Sequence, residues 1–387
     1  MYDSGDSKAS IAQSFIWCFD TTVTVLSTIS RIERITVMAA EQLHFVILGA
    51  GINGLSCAVR LSHEYPRSTV HIISEHFSPN TTSDVAAGLW GPYCLEGTSE
   101  YECRSWAQET HNYFLQLWQD GYADKCGICL VPVIELFHRD TSSPWWRNIV
   151  FGFQEMYLSS DDFDLAHQTN YRNSKSVAFM YTTFTCEPSK IMKCYIDTLS
   201  NRNVKFYQKR LQSINCLEML NIQANAIIVN CLGLNSQHVF NDLELFPVRG
   251  QVQKVKSSSV FHSFANESCY IIPNTDTVVL GGTKQKIDSL RIDPNDRYYI
   301  RANCFAIQPR LKNAAIVMDC VGLRPARSSG VRLEIEIISF DNGQNHAVIH
   351  NYGHGGAGIS LAWGCAGTVT RLVQQYIGET SITRLKL

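Results

Sequence analysis

The chain has 387 residues, 45% hydrophobic and 18% charged, with a formal net charge of −2. That length allows a large core and two domains, and the near-balanced charge speaks against a nucleic-acid partner or a strongly anionic membrane surface. Fourteen cysteines are scattered without a regular framework, which fits a reducing compartment better than secretion. Cys126 and Cys129 form a C-x-x-C without a second pair at zinc spacing. They read as ordinary thiols, a redox or metal pair being the alternative, and no metal site is predicted. The N-x-[ST] matches at Asn80 and Asn266 read as chance.

Asp3 and Asp6 stand where a targeting peptide would be basic, and Asp20 interrupts the next apolar stretch. Residues 1–43 are therefore expected to be an extension of no assigned role, with the fold beginning near Met38. His44-Phe45-Val46-Ile47-Leu48 reads as a buried strand. Gly49, Gly51 and Gly54 follow in G-x-G-x-x-G spacing, with Ala50, Ile52 and Asn53 between them, and a helical pattern continues through Leu55 and Val59. The glycines permit a tight turn, approach of a phosphate and close helix packing. The helix N-terminus supplies free N–H groups for a pyrophosphate. A second strand at 69–73 leads to Glu75 and His76, and an acid about 20 residues past the glycines suits ribose hydroxyls. This predicts dinucleotide binding without separating NAD, NADP and FAD. Further strands are predicted at 131–137, 226–231 and 277–280, and helices at 189–199 and 364–377. No apolar run is long enough for a spanning helix. Strands from both ends of the chain are expected to share one sheet, so the domains should be interleaved.

Thr81-Thr82-Ser83-Asp84-Val85-Ala86-Ala87-Gly88-Leu89-Trp90 resembles the flavin-contacting segment of the D-amino-acid oxidase and D-aspartate oxidase family. Three further blocks agree in order: residues 246–252 (FPVRGQV), 321–325 (VGLRP) and 350–360 (HNYGHGGAGIS). The resemblance implies an α/β fold, α+β overall: a Rossmann-like FAD-binding domain interleaved with an antiparallel-sheet substrate domain. The boundaries expected are 44–93, 176–245 and 318–376 for the first, 94–175 and 246–317 for the second, and 377–387 for a tail. It implies non-covalent FAD and oxidative deamination of a D-amino acid by hydride transfer from Cα to flavin N5. Oxygen is the acceptor, and hydrogen peroxide, ammonia and a 2-oxo acid are the products.

By resemblance, Gly49 to Gly54, Glu75 and His76 hold the adenosine and pyrophosphate side. Thr81, Thr82, Ser83, Ala87, Gly88, Leu89 and Leu211 contact FAD. Gly355, Gly356, Ala357, Gly358, Ile359 and Ser360 form a second glycine-rich turn toward the flavin. Arg324 matches the arginine that grips the substrate α-carboxylate, with Arg327 and Arg332 as nearby competitors. Tyr270 assists it, and the Gly356 carbonyl accepts from the amine. Asp84 and His354 are expected to be hydrogen-bonded structural residues. No general base is apparent in these blocks.

The short stretch between Gln251 and Tyr270, with Asn266 where D-amino-acid oxidases carry a second tyrosine, resembles a D-aspartate oxidase. Lys284 stands where an arginine is common and would meet a side-chain carboxylate as a point charge. D-Aspartate and D-glutamate are the expected substrates. Neutral D-amino acids are the alternative, and another FAD amine oxidase or a non-catalytic FAD-binding protein a second one. The terminal Leu385-Lys386-Leu387 partly matches a peroxisomal signal, which points to a peroxisome and an import receptor, with the cytoplasm as alternative.

Overall fold

Strand His44–Leu48 is buried along almost its whole length, as an apolar run must be when both faces of its sheet are covered. A computed structural model describes residues 42–384, apart from 139, 159–175, 203, 221, 224 and 341–342. Residues 1–41 and the terminal Leu385-Lys386-Leu387 therefore lie outside the described residues. Leu43–Ile377 form one compact body; of the other unit only Gln42 and residues 378–384 are described, the latter helical.

Gly49 ends the first strand at φ +97°, and a Cβ there would lie 2.4 Å from the Cys231 carbonyl oxygen, so the turn admits only glycine. Helix Ile52–Glu64 follows, burying Leu55, Ala58, Val59 and Leu61, and strand Thr69–Ser74 returns parallel to the first, with Phe45 beside Val70. The six-stranded sheet runs Ile335–Ser339, Asn345–His350, Ile227–Asn230, His44–Leu48, Thr69–Ser74, Val204–Gln208. All its pairings are parallel except the first. Strands from both ends of the chain do share this sheet.

The eight-stranded sheet is antiparallel but for one pairing, and runs Ala315–Arg327, Leu245–Lys256, Val278–Gly281, Tyr270–Pro273, Ser263–Asn266, Ile128–His138, Ser176–Cys186, Phe151–Leu158. One face packs Leu136, Ile271 and Leu280 against Ile300 and Cys304 of helix Pro294–Ile307. The opposite face turns Val252, Tyr270, Ile272 and Cys320 toward Val85, Ala87 and Leu89. The strict alternation of the two sets is what a pleated sheet with two different neighbours demands. Two expected boundaries fall inside this sheet. The resemblance groups residues 176–245 and 318–376 with the nucleotide-binding segments, yet Ser176–Cys186 and Ala315–Arg327 pair within the antiparallel sheet. Ser176–Cys186 is covered on both faces, so it keeps no apolar–polar alternation that would mark it as a strand of an antiparallel sheet. Among the described residues no helix is long and apolar enough to cross a membrane.

Candidate active site

A cavity of about 1410 Å³ starts beyond the C-terminal ends of the parallel strands and continues under the face of the antiparallel sheet that carries Tyr270. The ends of parallel strands are where open α/β sheets bind ligands, because the topology leaves a crevice there. Gly49, Ala50, Gly51, Ile52 and Asn53 form one wall of it, with Glu75, His76 and Leu211 nearby. Helix Ile52–Glu64 has no side-chain cap of its own. Its Ile52 N–H donates to Ser83 Oγ at 3.0 Å, and the Ala50 N–H donates to Ser74 Oγ at 3.1 Å. Asn53 Oδ1 is buried without a hydrogen-bond partner among the described residues. The positive helix end suits an anionic group, and the free Asn53 amide oxygen, an acceptor, suits a hydroxyl or N–H donor of the same ligand.

Thr81, Thr82 and Ser83 line the next stretch. The Thr81 N–H and hydroxyl both donate to Asp84, at 2.9 and 2.7 Å, and Ser78 Oγ donates to it at 2.6 Å. Asp84 is thus a structural cap. Ala87, Gly88 and Leu89 then run beside the end of strand Ser176–Cys186: Cys186 N–H donates to the Gly88 carbonyl, and Asn274 Nδ2 donates to the Ala87 carbonyl at 2.9 Å. From the other side Gly355, Gly356, Gly358 and Ile359 reach the cavity at the start of helix Gly358–Arg384. Three residues expected to contact the cofactor do not line it. Gly54 packs against the Gly49 carbonyl, Ala357 is fully buried, and Ser360 Oγ accepts from the Gly91 N–H at 3.0 Å. They hold the walls in place from behind.

Arg324 and Tyr270 meet at the far end. The Arg324 guanidinium lies over Gly250, where a Cβ would come within 2.5 Å of both terminal nitrogens, and its Nη1 donates to the Thr283 carbonyl at 3.1 Å. The Tyr270 ring covers Gly281, whose Cβ would lie 2.1 Å from it. Burial raises the Tyr270 hydroxyl's pKa, partly offset by the Arg324 charge, so it stays protonated. Among the described residues Arg324 has no carboxylate within ion-pair distance. Its competitors do: Arg327 pairs with Asp242 at 2.9 Å and Glu244 at 3.1 Å, and Arg332 with Glu334 at 2.7 Å and Glu336 at 2.9 Å. Lys284 is half-exposed at the rim, 3.3 Å from Glu96 and 5.4 Å over the Tyr93 ring; Arg324 lies 6.0 Å from the same ring. Burial alone would lower the Lys284 pKa, but Cys94 and Glu96 outweigh it and keep the ammonium charged.

Tyr93, Glu96, Asn274 and Glu135 were not singled out in the sequence. Glu135 lines the cavity, and burial pushes its carboxyl up to about 7, the Tyr181 hydroxyl beside it offsetting part of the rise. In the sheet it pairs with Ala265, which pairs in turn with Tyr270, so Glu135 and Tyr270 point to one face. His354, expected to be hydrogen-bonded, has a buried Nε2 without a partner among the described residues, and burial holds it neutral with a pKa of about 4. No grouping of three or more His, Cys, Asp or Glu suited to a metal occurs among the described residues.

Residues 44–372 match the FAD dependent oxidoreductase family. The chain belongs to that family, and FAD is its cofactor; the glycine turn with no room for a side chain at Gly49, the helix end without a side-chain cap and the free Asn53 acceptor described above fit that group. Within the family it falls with the D-amino-acid and D-aspartate oxidases. It is 35% identical to a human D-aspartate oxidase over 86% of this chain and 94% of that one. It is also 35% identical to a D-amino acid oxidase of Dugesia ryukyuensis over 87% and 98%. Its fold is that of glycine oxidase from Geobacillus kaustophilus, with a TM-score of 0.65 at 15% identity over 86% of this chain and 95% of that structure.

Proposed function

We propose that the protein oxidises D-amino acids, acidic ones in preference to neutral ones, to imino acids that water converts to 2-oxo acids, with ammonia and hydrogen peroxide released. The observation that carries this reading is Arg324: a cavity guanidinium that no carboxylate of the chain neutralises among the described residues. A planar fork in that state favours a planar α-carboxylate, bound through two parallel hydrogen bonds. Bound FAD supplies the acceptor for the hydride that leaves Cα. The chain's own residues bind and orient. Arg324 and the Tyr270 hydroxyl hold the carboxylate, the exposed backbone of Gly356 offers its carbonyl to the amine, and Ile272, Val252 and Leu89 keep water from the reacting carbon. None of this requires a side-chain base, since the neutral amine's lone pair assists the hydride's departure.

Lys284 supports the acidic preference, because it is a charged ammonium on the wall that carries Tyr93 and Arg324. Its Glu96 partner favours a second reading, neutral substrates, since the pair is already complete without ligand. A panel of D-amino acids with peroxide detection separates the two. Faster turnover of D-alanine than of D-aspartate would replace the first reading by the second, and a flavin bleached by no D-amino acid would end both. Because Lys284 is half-exposed, we expect Lys284→Met to lower kcat/KM for D-aspartate by about tenfold, roughly 1.4 kcal/mol, with D-alanine nearly unchanged. Gly250→Ala should displace the Arg324 fork. Its expected signature is a loss of more than about tenfold in kcat/KM on every D-amino acid with normal FAD content. A peroxisomal location is part of the proposal and is checked by imaging a fusion with a free C-terminus.

A further inference from the structure

Cys126, at the end of the short helix Ala123–Cys126, and Cys194, in helix Pro188–Ser200, lie 68 residues apart in sequence, yet their sulfurs are 2.7 Å apart. That is about 0.7 Å more than an S–S bond and well inside the contact distance of two unbonded sulfurs. Cys126 is buried, whereas Cys194 is partly exposed, so one thiol is reachable from solvent and the other waits behind it. The shared hydrogen bond is the main cause that draws the Cys194 thiol down to about 7 and holds Cys126 up, so Cys194 ionises first. The neighbouring Cys186 is fully buried and its thiol is pushed up, which leaves it inert. The partner of Cys126 is therefore Cys194 and not Cys129, the other half of the C-x-x-C.

We propose that Cys126 and Cys194 form a peroxide-oxidised dithiol, in which Cys194 is the attacking thiolate and Cys126 the resolving thiol. The Cys194 thiolate attacks one oxygen of hydrogen peroxide, the O–O bond breaks, and hydroxide leaves, giving the sulfenic acid. The Cys126 sulfur then attacks that sulfur. An S–S bond forms, the S–OH bond breaks, and water carries off the Cys126 proton, so one peroxide has taken two electrons from two thiols. The bond ties the turn that leads into strand Ile128–His138 to helix Pro188–Ser200. Met192 of that helix touches the Thr81 hydroxyl at the cavity wall. The site stands on geometry; the source of the peroxide rests on the oxidase reading above.

The experiment uses the FAD-loaded full chain, prereduced, then treated with reagent hydrogen peroxide and alkylated. Peptide mapping should find one major cross-linked pair, Cys126 with Cys194, lost on reduction and absent in Cys194→Ser and in Cys126→Ala. The oxidised protein should melt several degrees higher than the reduced one, because the closed loop is long. Recovery of Cys194 alkylated or as a sulfinic acid, or a cross-link to Cys129 or Cys186 instead, overturns the proposal. The wild-type map decides this even where a variant folds poorly. A parallel arm replaces the reagent by D-amino-acid turnover with and without catalase. A cross-link with the reagent but not with turnover leaves the dithiol standing and counts against the oxidase reading.

Discussion

Replacing Arg324 by alanine should leave a folded, FAD-containing protein that has lost most of its activity on every D-amino acid. The expected fall in kcat/KM is roughly 30-fold to 5,000-fold, corresponding to about 2–5 kcal/mol of charge-paired binding in a site shielded from water. The fold should survive because the guanidinium supports little of it: its hydrogen bonds end on the Thr283 and Arg249 carbonyls, and among the described residues no ion pair depends on it. Arg324→Lys should recover only part of the loss, since an ammonium cannot make two parallel bonds to one carboxylate. The decisive comparison is between variants with equal flavin absorbance. If Arg324→Ala keeps a near-normal kcat/KM, the α-carboxylate binds elsewhere and the reading of the site fails with it. Arg327→Ala is the contrast. It breaks ion pairs to Asp242 and Glu244 and should appear first as lost stability.

The parts of this site that were legible in the sequence are those whose physics is local. The strand, glycine turn and helix of 44–64 follow from a backbone that must turn at Gly49 and from apolar periodicity on either side. Arg324 was legible only through the motif around it, since one arginine in a strand looks like another. What distinguishes it from Arg327, three residues away, is the absence of an acid beside it among the described residues, and the acids concerned come from residues 242–244. Lys284 was visible as a cation, but its partners Glu96 and Tyr93 approach from nearly two hundred residues away. The same holds for Cys194, which nothing in the C-x-x-C announces. Burial on both faces hid the sheet to which Ser176–Cys186 belongs, because such a strand keeps no alternation to read. Glu135 failed for the opposite reason. It sits among Val133, Ile134, Leu136 and Phe137, and an acid in an apolar strand reads as a solvent-facing position until the cavity is seen.

Glu135 also sets the second large expectation. Its carboxyl is moved from an ordinary value of 4.5 to about 7, with burial as the first cause. The folded protein therefore holds a proton between those values that the unfolded chain has already released. Unfolding releases that proton, so this residue's contribution to stability falls as pH rises from about 4.5 and levels off above about 7. A displacement of this size amounts to at most about 3 kcal/mol at alkaline pH. Glu135→Gln keeps the shape and removes the titration. Its urea midpoint should match the parent's near pH 4 and exceed it near pH 8, by a margin that grows across that window. A constant offset at all pH values would mean that the carboxyl is not titrating in the fold. The cavity adds a functional readout. Glu135 shares a sheet face with Tyr270, so its ionisation places a negative charge in the compartment where the substrate binds. KM for D-aspartate should accordingly rise with pH through about 7 in the parent and stay flatter in Glu135→Gln, while KM for D-alanine follows pH alike in both.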